Sequence, residues 1–419
     1  MPAMDETNDH SPRPGPKERP PLLPRDIQGL KYFGALRELL GVLHAHHDGP
    51  NRLLHYDELA LLTLLHFYNP VLTGLRSLQQ ASTLANVQEK LGVRRASLGS
   101  LSEASRVFEP ALLAGVAAEL AGRAAAADAP VRPDDLPADL DVLAVDGSLL
   151  QAVARMIWAV WLDPQHRAAK LHLEFNVLRG TPGQARVTDG NANERTLLRE
   201  MLRPGALYLL DAGYGEYALL EEIRQQESSF VARLHDNAVW DEVVKEREVT
   251  AADRAGGVEW DREVWLGSKT TRDDFSAPVR VVRVRGVSPP YRGLGRRPAR
   301  VSSKKTFRHA PEEYDLLLVT DRMDLSAATI ALLYRYRWTI ELFFRWFKCV
   351  LRFDHLLFES RRGVEILVYC ALIASLLVTL WTGRKPTKRT LEMFALYFQG
   401  WARWDELEAH IDQLKIAAA

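Results

Sequence analysis

The chain has 419 residues, with 54 Lys plus Arg against 54 Asp plus Glu, 47% apolar residues and 26% charged residues. A composition this apolar can offset the chain entropy of folding, which excludes disorder over most of the length, and the length suits two or three domains. Zero net charge excludes a globally basic nucleic-acid binder while allowing local basic surfaces. The two cysteines, Cys349 and Cys370, are too few for a disulfide scaffold or a four-thiolate metal site, so a reducing cytoplasm is expected.

Residues 1–25 read as a disordered tail: the first 24 hold seven prolines and no apolar targeting segment. Residues 26–135 read as a helical N-terminal domain, because apolar positions in LKYFGALRELLGVLHAH and YDELALLTLLHFY recur at three and four. Within it Arg94 and Arg95 fall at a turn before a Ser-rich helix start, which suits either DNA reading or simple packing. Strands are expected in LDVLAVDGS, MIWAVWLD, AKLHLEFNVL and ALYLLDAGY, followed by the helix EYALLEEIRQQ and a strand in SSFVARLH. This alternation predicts an α/β core over 136–235 and 311–395. It is interrupted at 236–310 by a texture of Trp, Val, Arg and Gly that reads as an antiparallel β insertion. The core resumes with the strand EYDLLLVTD and one long helix from Ser326 to Arg352. Residues 396–419 close the chain as an amphipathic helix whose Trp401, Trp404, Leu407, Ile411 and Leu414 suit dimerisation or packing on its own domain. No internal repeat is visible.

Ile366 to Gly383 carries no charge over eighteen residues, at the lower edge of a membrane-spanning length. The run is single, short, and interrupted by Ser375 and Thr379. A buried core helix is therefore expected, and no membrane.

Three acids stand out. Asp146 and Asp211 are each expected to terminate an apolar strand, and functional groups gather at the carboxyl ends of strands in α/β sheets, although an Asp-Gly such as Asp146-Gly147 also suits a plain turn. In YRYRWTIELFFRWFK, Tyr334, Arg337, Glu341 and Lys348 are spaced three, four and seven apart, so they share one helix face, with Trp338 and Arg345 close to the same stripe. A solvated face with Glu-Arg pairs would show the same spacing, but Leu342, Phe343, Phe344, Trp346 and Phe347 make the rest of this helix apolar, and it is therefore expected to be largely buried. Three carboxylates from separate elements suit two Mg²⁺ ions and in-line phosphoryl transfer. The histidines His44, His46, His47, His166 and His172 lack zinc-site spacing and read as structural or exposed.

These residues resemble the DDE transposases of bacterial insertion sequences, specifically the insertion-sequence-four family with its Tyr-Arg-Glu-Lys signature, matched at Tyr334, Arg337, Glu341 and Lys348. AVDGS around Asp146 and LLDAGYGEY around Asp211 resemble the first and second aspartate motifs, and Lys170 to His172 and TDGNANE ending at Glu194 also fit. The second motif reads Asp-Ala-Gly-Tyr where Asp-Arg-Gly-Tyr is common. The resemblance covers roughly 70 to 385. It implies a ribonuclease-H-like fold in which Asp146, Asp211 and Glu341 are catalytic and bind two Mg²⁺ ions, for which Mn²⁺ can substitute. It further implies transposon-end cleavage and strand transfer into target DNA, a homodimeric synaptic complex, and a β insertion before the catalytic helix. By the same analogy Tyr334, Arg337, Arg345 and Lys348 contact DNA phosphates, and Trp338 stacks on a flipped base. A cytoplasmic, nucleoid-associated location follows. An inactive or domesticated DNA-binding derivative is the alternative.

From Ser276 to Pro311 there are ten Lys or Arg residues and no Asp or Glu. Arg283 and Arg285 fall on one face of a strand, and with Arg296, Arg297, Lys304 and Lys305 they form the expected DNA contact of the insertion.

Overall fold

The computed structural model describes residues 34–45, 53–69, 71–235, 237–268, 275–287, 313–349 and 356–416. The proline-rich tail and the basic residues Arg292, Arg296, Arg297, Arg300, Lys304, Lys305 and Arg308 lie outside the described residues, as do His46 and His47.

Helices α1 (Gly34–Ala45), α2 (Tyr56–Tyr68), α3 (Leu75–Ala81), α4 (Ala85–Leu91), α5 (Leu98–Val107) and α6 (Pro110–Arg123) come first. The hairpin strands β1 (Asp141–Gln151), β2 (Val160–Trp161), β3 (Asp163–Asn176) and β4 (Thr181–Asp189) follow. Next come α7 (Glu194–Met201), β5 (Ala206–Leu210), α8 (Tyr217–Gln225) and β6 (Ser229–Arg233). The insertion contributes β7 (Trp240–Glu246), α9 (Ala251–Ala255), β8 (Val258–Leu266) and β9 (Val279–Val287). The chain ends with β10 (Glu313–Thr320), α10 (Ala327–Tyr336), α11 (Trp338–Cys349), α12 (Arg361–Thr382), α13 (Lys388–Phe398) and α14 (Trp404–Ile416).

The strands form one mixed sheet in the order β2-β3-β1-β5-β6-β10-β9-β8-β7, with β4 also on β3. β5 runs parallel to both β1 and β6, and the remaining pairs are antiparallel. The parallel strands are buried on both faces, which is why ALYLL is an unbroken apolar run rather than an alternation. In β1 the alternation is visible in the packing. Val142 and Ala144 join the apolar cluster beneath α10, α11 and α12, whereas Leu143 and Val145 join the cluster beneath α7 and α8. The N-terminal helices share the first cluster, so they are continuous with the core of the sheet.

Helix α12 occupies the centre of that cluster. Ser360 caps its start by accepting from Gly363 N–H, and Gly383 ends it at φ 70°, a conformation that glycine adopts without strain. Ile366 through Val378 are buried, against α2, α5, α6 and β4. The uncharged run is thus long and apolar enough to cross a membrane by composition, yet it is buried inside the protein.

The structure departs from the sequence expectations in several places. Asp146 does not end its strand: β1 continues to Gln151, because β3 pairs with it along its whole second half. MIWAVWLD yields the two-residue β2 and, at Asp163, the first residue of β3; the rest is a looped tip in which Met156 and Ala159 turn inward. The expected long helix is two helices, divided at Arg337, where Arg337 N–H bonds to Tyr334 O and Ile340 N–H to Arg337 O in tight i to i+3 fashion. The antiparallel strands of the insertion join the core sheet, β9 pairing with β10. In α14, Leu407 and Ile411 are buried and Trp404 stacks on Trp381 at 5.7 Å, so this face packs on its own domain. Trp401 lies outside the helix and is 78% exposed.

Candidate active site

Asp146 sits halfway along β1, opposite Leu173 of β3, and its Oδ1 accepts the N–H of Gly147 at 2.8 Å. Asp211 directly follows β5 and caps a short 3₁₀ turn, Ala212–Tyr214, accepting from Gly213 N–H at 2.9 Å. β1 and β5 are neighbouring parallel strands, so the two aspartates approach each other at one end of the sheet. The proximity is registered electrostatically. Burial raises the Asp146 carboxyl to about 6, and the charges of Asp211 and Glu194 add to the rise, while the Gly147 N–H and Arg337 oppose it.

Glu341 lies in the first turn of α11 and accepts from Arg337 Nη2 at 2.8 Å. The Arg337 guanidinium also sits 5.7 Å from the Tyr334 ring centre. Burial works against the charge of Arg337, but Tyr334, Glu341 and Asp211 keep it cationic. Arg337 therefore contacts Glu341 and Tyr334 directly, and its charge is felt by both strand aspartates. Aromatic packing seats the helix: Phe343 meets Phe175 of β3 at 5.1 Å.

The remaining residues of the helical signature are spread along α11. Trp338 is half exposed at its first position, Arg345 is exposed, and Lys348 lies further along at intermediate exposure. In the insertion, Arg283 bonds Glu259 at 3.0 Å and also Asp315, while Arg285 bonds Glu259 at 2.7 Å. Their positive charge is thus compensated by acids from β8 and β10. Arg280, the first of the basic run, is 2% exposed and bonds both oxygens of Asp261, which makes it a core residue rather than a surface cation. In the N-terminal region Arg94 is similarly committed, to the buried Glu58 at 3.0 Å, and Arg95 is exposed. Of the histidines singled out in the sequence, His44 bonds Asp57, His166 bonds Asp163, and buried His172 bonds Thr188.

Tyr214, within the second aspartate motif, and Glu194, at the end of TDGNANE, also belong to this neighbourhood. Tyr214 is 1% exposed, and its hydroxyl is held well above the usual range first by burial and then by the charges of Glu194, Asp146 and Asp211. Glu194, the first residue of α7, pairs with Lys170 of β3 at 2.5 Å. Arg195 braces the same helix on the Asp211 turn, donating to Gly213 O at 2.8 Å. The sequence signal for Glu194 is local: Asn193 caps a helix whose first residue is acidic, immediately after the TDGNAN turn.

The donor set suits a divalent cation. Asp146 is a half-buried carboxylate beside a second one, a like-charge arrangement that a metal ion would relieve. Among the described residues no three His, Cys, Asp or Glu side chains are gathered closely enough to hold a metal together, since Glu341 is turned to Arg337.

Asp146 and Asp211 thus lie on neighbouring parallel strands, with Glu341 on the packed helix turned to Arg337. The transposase DDE domain family matches residues 137–377, more than half of the chain, and the chain belongs to this family. Domains of this family use divalent metal ions. The chain is 30% identical over 210 residues to "Putative transposase y4zB" of Sinorhizobium fredii, covering 50% of this chain and 52% of that protein. It is 24% identical over 237 residues to "Probable transposase for insertion sequence element IS5377" of Geobacillus stearothermophilus, covering 56% of this chain and 55% of the relative. The chain thus spans about half the length of the curated relatives it matches. Among solved structures, the cryo-EM structure of a piggyBac transposase synaptic complex with hairpin DNA aligns at a TM-score of 0.38 and 10% identity. That alignment covers 85% of this chain and 76% of the other, a likeness too low to define the fold.

Proposed function

We propose that the chain is a DNA transposase of the insertion-sequence-four type. In this reading it cleaves the ends of a mobile element and joins the freed 3′-hydroxyl to target DNA, with Asp146, Asp211 and Glu341 as its acidic triad. The observation that carries this reading is the convergence of Asp146 and Asp211 from adjacent parallel strands, within the electrostatic reach of Arg337, which bonds Glu341 on the packed helix. The ribonuclease-H-like reading is supported by the run β4-β3-β1-β5-β6, three antiparallel strands continued by two parallel ones. The Tyr-Arg-Glu-Lys reading is supported by the direct contacts of Arg337 with Tyr334 and Glu341.

Asp146 and Asp211 would hold two Mg²⁺ ions, or Mn²⁺ in their place, and Glu341 would join them on leaving Arg337. Bound divalent ions supply the charge that activates the attacking oxygen and stabilises the leaving one. The protein's own groups do the rest. Gly147 and Gly213 N–H groups orient the two aspartates. The Arg337 fork, once released from Glu341, matches a phosphate in two parallel hydrogen bonds. Trp338 presents an exposed ring at the start of the same helix, where a displaced base can stack. Transposon ends, target DNA, a homodimeric synaptic assembly and a place at the bacterial nucleoid belong to the same proposal.

Glu341→Ala tests it. The expected outcome is loss of end cleavage by about a thousandfold or more, the effect of removing several kcal/mol of transition-state stabilisation, with folding and DNA binding retained. Cleavage that survives the substitution would remove Glu341 from the chemistry. Tight end binding by a wild type that never cuts would favour the inactive derivative.

A further inference from the structure

Gly147 follows Asp146 in the middle of an eleven-residue strand, so it is not there to make a turn. A Cβ built on Gly147 would lie 2.6 Å from Glu194 Oε1 and 2.9 Å from Lys170 Cε. The Lys170–Glu194 pair therefore rests directly on the backbone of the residue whose N–H orients Asp146. By strand alternation Gly147 faces away from the side that Asp146 faces, so the pair supports the strand from behind. The two partners come from separate elements. Lys170 belongs to β3, opposite Leu149, and Glu194 opens α7, whose next residue, Arg195, bonds the turn that Asp211 caps. One short helix start thus touches the backbone supports of both strand aspartates. The pair is largely shielded, with side-chain exposures of 15% for Lys170 and 31% for Glu194.

We propose that Lys170 and Glu194 are positioning residues for the Asp146 carboxylate, the pair filling the space over Gly147 and setting the charge that Asp146 experiences. This inference rests on the reading of Asp146 and Asp211 as holders of a divalent cation. Glu194 adds negative charge behind the site, and Lys170 offsets it. The two partners accordingly act on a bound cation with opposite sign, whereas a merely structural pair would fail in the same way whichever partner is removed.

The test uses the full chain and Mn²⁺ alone, with binding followed by the electron-spin-resonance signal of free Mn²⁺ and folding checked by circular dichroism. Glu194→Gln is expected to weaken Mn²⁺ binding, and Lys170→Met to strengthen it, each on the order of threefold to tenfold, the size of one charge changed near a partly buried site. Gly147→Ala supplies a second arm. The atoms its methyl meets are the ends of flexible side chains, so the fold tolerates it while the pair is displaced. Weakened Mn²⁺ binding in Gly147→Ala, partly restored by adding the shorter Glu194→Asp, is the expected result. Shifts of the same sign in Glu194→Gln and Lys170→Met, or no shift, would overturn the proposal while leaving the metal reading intact. A wild type that takes up no Mn²⁺, or takes it up as well after Asp146→Asn, would overturn both.

Discussion

Asp146 owes its properties to neighbours that are distant in sequence. Its partners are Gly147 beside it, Asp211 at the end of the next strand, Glu194 on a helix and Arg337 at a helix junction. The residue type at position 146 was legible because it follows four apolar residues. Its place within the strand was not, since Asp-Gly is also good turn chemistry and only the pairing with β3 reveals the continuation. Arg283 and Arg285 teach the same lesson: Glu259 and Asp315, which compensate them, belong to other strands and are invisible to local charge counting. A second buried acid offers a test at this scale. Glu174 of β3 is 1% exposed, and burial raises its carboxyl to about 7, with Arg203 only partly opposing the rise at 3.9 Å. Because the folded pKa lies above the ordinary 4.5, the protonated form favours folding. Its contribution is complete below about 4.5 and is lost as pH rises through 7. Glu174→Gln should therefore gain stability relative to wild type between pH 5 and 8, by up to about 3 kcal/mol. Melting temperatures of both proteins across that range check it; parallel curves would contradict the assignment.

At the scale of elements, the junction between α10 and α11 is what brings the helical signature to the sheet. No Gly or Pro marks it, so the run from Ser326 onward read as one helix. The break places Arg337 between Tyr334 and Glu341, and the elements around the start of α10 hold that helix in place. Asp135 accepts from Ser326 N–H at 2.8 Å, Asp253 of α9 accepts from Ala328 N–H at 2.8 Å, and Arg335 donates to Gly256 O at 2.7 Å. Arg280 of β9 donates to Leu325 O while gripping Asp261 of β8. The insertion is thus fastened to the segment that leads into α10 and, through it, α11. Removing one partner of a buried, hydrogen-bonded ion pair strands the other charge, so Asp261→Asn should destabilise the protein by about 3–5 kcal/mol. Combining it with Arg280→Met should recover part of that loss. Urea unfolding of the single and double variants measures both; a double variant no more stable than the single would show that the pair's geometry, not its charge, is what matters.

For the whole molecule, the N-terminal helices, one face of the sheet and α12 form a single apolar cluster. The helical character of the first hundred residues and the α/β alternation after them were legible from periodicity. Their fusion into one core was not, because it depends on α12, a helix apolar on all sides that could be placed only by knowing what surrounds it. One cluster predicts one cooperative calorimetric transition for the helices and sheet together. Leu372→Ala at the centre of α12 should lower its stability by about 2–5 kcal/mol without splitting it. Two separated transitions in the wild type would contradict the shared core. In the proposed function this assembly presents Asp146, Asp211 and Glu341 to the ends of a mobile DNA element. The most direct measurement is Mg²⁺-dependent cleavage of the DNA flanking this gene, by wild type and Glu341→Gln, mapped to the nucleotide beside an unrelated duplex. Cuts at one defined terminal position, absent from the variant and from the unrelated DNA, are the predicted result. Equal cutting of both duplexes, or cutting retained by Glu341→Gln, would contradict it.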